Sequence, residues 1–138
     1  MKRILFVDDN DSFRNAFARI IEKPGYRVTE AVDGKAGLLR FQAETPDLVI
    51  CDLIMPEVEG MQTIQKMLHR QPGIRFIAIA GGGRINPLDY LRLAEKLGVA
   101  GTVSKPFSTD ELLSAIERAI GPGSPAVSPV GRMEFQDN

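Results

Sequence analysis

Four side chains far apart in the chain could share one piece of chemistry: the adjacent carboxylates of Asp8 and Asp9, the carboxylate of Asp52, and the ammonium of Lys105. Each follows a short strand-like segment. Asp8-Asp9 follow Ile4-Leu5-Phe6-Val7, Asp52 follows Leu48-Val49-Ile50-Cys51, and Lys105 follows Gly101–Ser104 and precedes Pro106-Phe107. A carboxylate at the mouth of a buried strand is costly, because an ionised group resists desolvation. Three acids gathered at one edge would also repel and resist ionising together. A hard dication resolves that conflict. Magnesium takes oxygen ligands in an octahedron and keeps some waters, so two or three carboxylates and a carbonyl suit it. A carboxylate between such an ion and a lysine is a place for an incoming phosphoryl group, whose transfer is mostly positioning and charge neutralisation. Asp52 would then be the nucleophile, forming an acyl phosphate.

Such a site needs elements that bring distant residues to one edge, and the sequence carries their signature. Ile4–Val7, Leu48–Cys51 and Phe76–Ala80 are continuous apolar runs, the pattern of strands covered on both faces. Weaker strands are predicted at Arg27–Ala31 and Gly101–Ser104. Between them lie helical stripes: Phe13, Phe17, Ile20 and Ile21; Ala36, Leu39 and Ala43; Met61, Ile64 and Leu68; Tyr90, Ala94 and Leu97; Leu112, Ile116 and Ile120. Asn86-Pro87 reads as a helix start, and Ser108 with Glu111 as a capping box. Gly25, Gly98 and Gly121 stand just past helical stripes, where glycine caps cheaply. Five strand–helix units in strict alternation predict an α/β fold, a parallel sheet with helices on both faces. Ligands in such sheets gather beyond the carboxyl ends of the strands. In the order 2-1-3-4-5 the exits of strands 1 and 3 are neighbours at ~4.8 Å, and strand 5 lies about 10 Å from strand 3, within a lysine's reach.

The bulk properties narrow the function. A chain of 138 residues fits one domain, and 43% hydrophobic with 25% charged residues is an ordinary globular composition. Seventeen basic against eighteen acidic residues give a net charge of −1, with no electrostatic footprint for nucleic acid or an anionic membrane. One cysteine, Cys51, excludes an internal disulfide and a cysteine-based zinc site. No apolar run approaches a membrane span, and the start, MKRILFVDDN, lacks a signal-peptide core, so a cytoplasmic protein is expected. Residues 1–120 are expected to form the domain. Residues 121–138, rich in Gly, Pro and Ser, are expected to form a flexible tail or linker.

At VDDN (7–10), VICDLIMPEVEG (49–60) and VSKPF (103–107) the sequence resembles the receiver domain of bacterial two-component response regulators, similar to the chemotaxis regulators. The resemblance runs from residue 1 to about 120. It implies a flavodoxin-like, doubly wound sheet of order 2-1-3-4-5 and transfer of phosphate from a phosphohistidine of a sensor kinase or phosphotransfer protein. Carried over by position, Asp52 is the phosphoacceptor and Asp9 a direct magnesium ligand. Asp8 acts through a coordinated water, the carbonyl of Ile54 is a further ligand, and Lys105 contacts the phosphoryl oxygens. The Lys105–Pro106 peptide is expected cis. The resemblance also implies a pairing face on the fourth helix, fifth strand and fifth helix. It leaves the downstream target unidentified.

Two positions depart from the family pattern. Where the family usually carries Ser or Thr at the end of strand 4, this chain has Ala80, which donates no hydrogen bond. The aromatic often found three residues before the lysine is Thr102. Both predict a site that accepts phosphate but shifts weakly toward an active conformer. Ile54, two residues after the nucleophile, cannot position an attacking water by its side chain, so a long-lived acyl phosphate is expected.

Blander readings compete. Asp8 and Asp9 alone could open a helix, where acids are favoured, and Lys105 alone could be a surface charge. Their combination with Asp52 favours a site. Cys51 reads as a small core residue, His69 as a surface residue near a helix end, and Tyr90 and Met61 as packing. The glycines 81–83 lack the Gly-Lys-Ser/Thr sequel of a phosphate-cradling loop and read as a mobile connection. Two other functions remain: a degenerate receiver used as a docking module, and a magnesium-dependent aspartyl phosphatase. The phosphatase wants a second carboxylate where Ile54 stands.

Overall fold

The computed structural model describes residues 2–52, 59–80, 92, 95–96 and 98–123. In chain order these form β1 (Arg3–Val7), α1 (Asp11–Glu22), β2 (Arg27–Ala31), α2 (Gly34–Ala43), β3 (Leu48–Asp52), α3 (Glu59–Arg70), β4 (Arg75–Ala80), β5 (Gly101–Ser104) and α4 (Thr109–Ile120). Helix α4 is the fifth helix expected from sequence. Ile54, the glycines 81–83, Asn86-Pro87, Tyr90, Ala94, Leu97 and residues 124–138 lie outside the described residues.

All five strands pair parallel in the order β2-β1-β3-β4-β5. Alternate residues of the apolar runs feed two separate cores. Leu5, Val7, Val49, Cys51, Phe76 and Ala78 pack on one face with Phe41, Ile64 and Met67 from α2 and α3. Ile4, Phe6, Leu48, Ile50, Ile77 and Ile79 pack on the other with Ile21, Leu112 and Ile116 from α1 and α4. A strand with two apolar sides therefore has two helical layers to bury them, which is why these runs show no alternation. This is the doubly wound arrangement expected from sequence, and Cys51 takes its predicted place in the core.

The helix starts follow local chemistry. Asn10 Oδ1 accepts the Phe13 N–H at 3.1 Å, and Asp33 Oδ1 accepts the Ala36 N–H at 2.7 Å. Ser108 and Glu111 form the reciprocal capping box that their spacing predicts. Gly25 turns the chain from α1 into β2 at φ 111°, a conformation that strains any residue with a Cβ.

Helix α2 corrects the sequence reading. Of the stripe Ala36, Leu39 and Ala43, Ala36 packs against the core, but Ala43 is exposed and Leu39 is 61% exposed, while Gly34, Gly37 and Phe41 are buried. Part of the reason is close approach. A Cβ on Gly37 would stand 3.0 Å from Val7 Cγ2, so beside Phe41 the buried face includes glycines, which carry no apolar signal in a periodicity. The residues just past α4 are tied to the body: the Tyr26 hydroxyl donates to the Gly121 carbonyl at 2.6 Å, and Lys2 Nζ donates to that of Pro122 at 3.0 Å.

Candidate functional site

The register β1–β3 pairs Val7 with Cys51, so Asp8 and Asp52 leave adjacent strands at the same level. Asp8 stays attached to the sheet through its N–H, which donates to the Ala31 carbonyl at 3.1 Å. Ligand oxygens of Asp8, Asp9 and Asp52 all lie within 4.8 Å of one another. Asp8 is 0% and Asp52 5% exposed, whereas Asp9 is exposed. From β5, across β4, Lys105 Nζ reaches Asp52 Oδ2 at 3.1 Å and Asp8 Oδ2 at 3.3 Å. The side chains expected to converge do so. The Lys105–Pro106 peptide is cis, as the resemblance implied.

Electrostatics follow from this crowding. Burial pushes the Asp8 carboxyl above its ordinary range, and the neighbouring Asp52 adds to the rise. The Asn10 N–H, donating to Asp8 Oδ1 at 2.8 Å, and the Lys105 ammonium pull the other way without cancelling it. For Lys105 burial favours the neutral amine, but Asp52 and then Asp8 outweigh it and raise the lysine above its ordinary value. The acids are thus held beside a charged ammonium. An all-oxygen set of clustered carboxylates, two of them buried, fits a hard dication such as magnesium.

Of the two departing positions, Ala80 ends β4 opposite Ser104, and Thr102 pairs with Ala78. Ile54 lies outside the described residues, so its carbonyl stays an expectation. His69 is exposed at the end of α3, as expected.

Three residues near the site escaped the sequence reading. Arg14, 8% exposed, donates Nη1 to the Asp8 carbonyl at 2.6 Å, Nη2 to Asp11 at 2.8 Å and Nε to Glu30 at 2.9 Å. Burial works against its charge, and the bonds to Asp11 and Glu30 more than offset that. A signal existed: Arg14 stands at i, i+4, i+7 with Ala18 and Ile21, the residues α1 buries. A charge in a buried stripe needs partners. Glu30 had no such signal, because its role depends on β2 lying beside α1. Phe13 reads from sequence only as a member of a helical stripe, yet the Lys105 ammonium sits over its ring, 4.2 Å from the centroid.

Comparison with known proteins agrees with this geometry. Residues 4–117 match the response regulator receiver domain family. The chain is 32% identical over 123 residues to the response regulator receiver protein CpdR of Brucella abortus (strain 2308), covering 87% of this chain and 98% of that one. It is 33% identical over 115 residues to the CAI-1 autoinducer sensor kinase/phosphatase CqsS of Vibrio cholerae, covering 83% of this chain but spanning only 17% of that protein. The crystal structure of a response regulator receiver domain protein from Clostridium thermocellum superposes with a TM-score of 0.79 at 30% identity, covering 87% of this chain and 94% of that one. By its matched motifs, its sheet order and these relatives, the chain belongs to the receiver-domain family of two-component response regulators.

Proposed function

We propose that Asp52 accepts a phosphoryl group from a phosphohistidine of a sensor kinase or phosphotransfer protein, and that the chain thereby acts as a signalling switch. The observation that carries this reading is the Lys105 ammonium lying 3.1 Å from Asp52 and 3.3 Å from Asp8 at the exits of β1, β3 and β5. Magnesium would be held by Asp9, Asp52 and the Ile54 carbonyl, with Asp8 acting through a coordinated water, and when bound it supplies positive charge to the phosphoryl oxygens. The chain's own groups do the rest. An Asp52 oxygen attacks phosphorus in line with the leaving imidazole nitrogen. The O–P bond forms as the N–P bond breaks, and the departing imidazole takes a proton from solvent. Lys105 meets the negative charge arriving with the phosphoryl group. Burial of Asp52 keeps bulk water from competing for phosphorus.

A relative named as a sensor kinase/phosphatase contains a segment like this chain, which supports a phosphohistidine donor. Ala80 offers no hydroxyl to the phosphoryl group, so the conformational response is weak, and an Ala80→Ser variant should show a larger phosphorylation-dependent change by NMR. The Ile54 side chain leaves an attacking water unguided, so the acyl phosphate is long-lived; decay within seconds in magnesium buffer would contradict this.

Intact mass after incubation with Mg²⁺ and a small acyl phosphate tests the central claim. One phosphoryl group gained by the parent and none by Asp52→Asn is the expected result. No gain in the parent would leave a docking module, and turnover of phosphomonoesters would indicate a phosphatase.

A further inference from the structure

The transfer chemistry assigns no part to Phe13, although its ring contacts the Lys105 ammonium. The side chain rises from the first turn of α1, where Asn10 caps its N–H. Three other aromatics hold the ring. Phe17 lies at 4.8 Å between centroids, Phe107 at 5.6 Å and near-perpendicular, and Phe6 at 6.3 Å and near-perpendicular. Phe107 also packs on Phe17 at 5.1 Å. Phe107 follows Lys105 by two residues, so one aromatic cluster anchors both the ring and the loop that carries the lysine. Edge-to-face and tilted pairs of this kind are mutually favourable and define the ring's orientation.

Lys105 has a different problem. Its four-carbon stem is flexible, its charge is compact and strongly hydrated, and it begins in a loop beyond β5. Asp52 and Asp8 attract it, but both are expected to turn to other charges when the site works. The phosphoryl group arrives on one, and a dication draws on both. A neutral ring face attracts an ammonium without competing for either. At 4.2 Å from the centroid the contact is well inside the range over which that attraction is felt.

We propose that Phe13 is a positioning residue for Lys105, its ring face holding the ammonium at the carboxylate side of the site while the charges of Asp8 and Asp52 are re-engaged. This rests on Asp52 being the phosphoacceptor, but its first test does not. A leucine would fill the same core space and offer no π face, whereas a tyrosine keeps the face.

NMR of the full chain without added metal reads the position directly. Protons above an aromatic face resonate upfield, so the Lys105 ε-methylene, assigned by its loss in Lys105→Arg, should lie upfield of the other lysines. It should stay there in Phe13→Tyr and return to the ordinary position in Phe13→Leu. In Mg²⁺, Phe13→Leu should take phosphate from a small acyl phosphate about three- to tenfold more slowly, with Phe13→Tyr near the parent and the Mg²⁺ affinity of all three alike. Should Phe13→Leu fail to fold, Phe13→Met serves the same comparison. An unshifted Lys105 in the parent, or a leucine variant phosphorylated at the parental rate, overturns the proposal. If the parent takes no phosphate at all, the phosphoacceptor reading fails, and the NMR comparison still decides where Phe13 holds the lysine.

Discussion

Asp8 is the residue whose burial has the clearest thermodynamic consequence. Its folded pKa lies above the ordinary carboxylate value, chiefly because burial disfavours the anion. A group with a raised folded pKa contributes stability while protonated and loses that contribution as pH climbs through the folded value. Ionised Asp8 therefore destabilises the metal-free chain at neutral pH. Asp8→Asn should raise the metal-free melting temperature at pH 7 by roughly 3–6 °C, with the gain shrinking as pH falls toward 4. It should also blunt the stabilisation that Mg²⁺ confers; calorimetry with and without the ion checks both. Lys105 behaves oppositely in range: its raised value keeps its contribution intact until strongly alkaline pH. Arg14 acts on the backbone. Arg14→Met removes the donor to the buried Asp8 carbonyl and should cost about 1–3 kcal/mol in urea unfolding.

At the scale of elements, α2 is the informative one. Its seat on the sheet depends on Gly37, whose missing Cβ lets the helix approach Val7. Gly37→Val should overpack that contact and destabilise by about 1–3 kcal/mol, read as a lower urea midpoint. Most of the other elements were legible from residues alone. The strands Arg27–Ala31 and Gly101–Ser104 occupy the predicted positions, and the Ser108 capping box closes as its spacing requires. These features depend on neighbours a few residues apart. The buried face of α2 was misread because a glycine's contribution is a distance between two elements, and no hydropathy pattern records a distance.

Across the whole molecule, the sheet order does the assembling. Placing β1 between β2 and β3 sets Asp8 beside Asp52, and β5 lies near enough for one lysine to bridge back to both. Because three separated segments supply the carboxylates and the lysine, a bound dication should stabilise the whole fold. Mg²⁺ at one hundred times its dissociation constant is expected to add about 2.7 kcal/mol to unfolding. A thermal shift independent of Mg²⁺ would contradict a metal site here. The residue sequence by itself determined the strand–helix rhythm, the two-sided burial of the strands and the acids and lysine at their exits. Those follow from polarity, spacing and local capping. Only the tertiary structure decided which face of α2 is buried, that Arg14 grips the Asp8 carbonyl with Glu30 across from it, and that a Phe13 ring lies under Lys105. Each of these depends on how different elements pack against one another, set by the seating of helices on a twisted sheet.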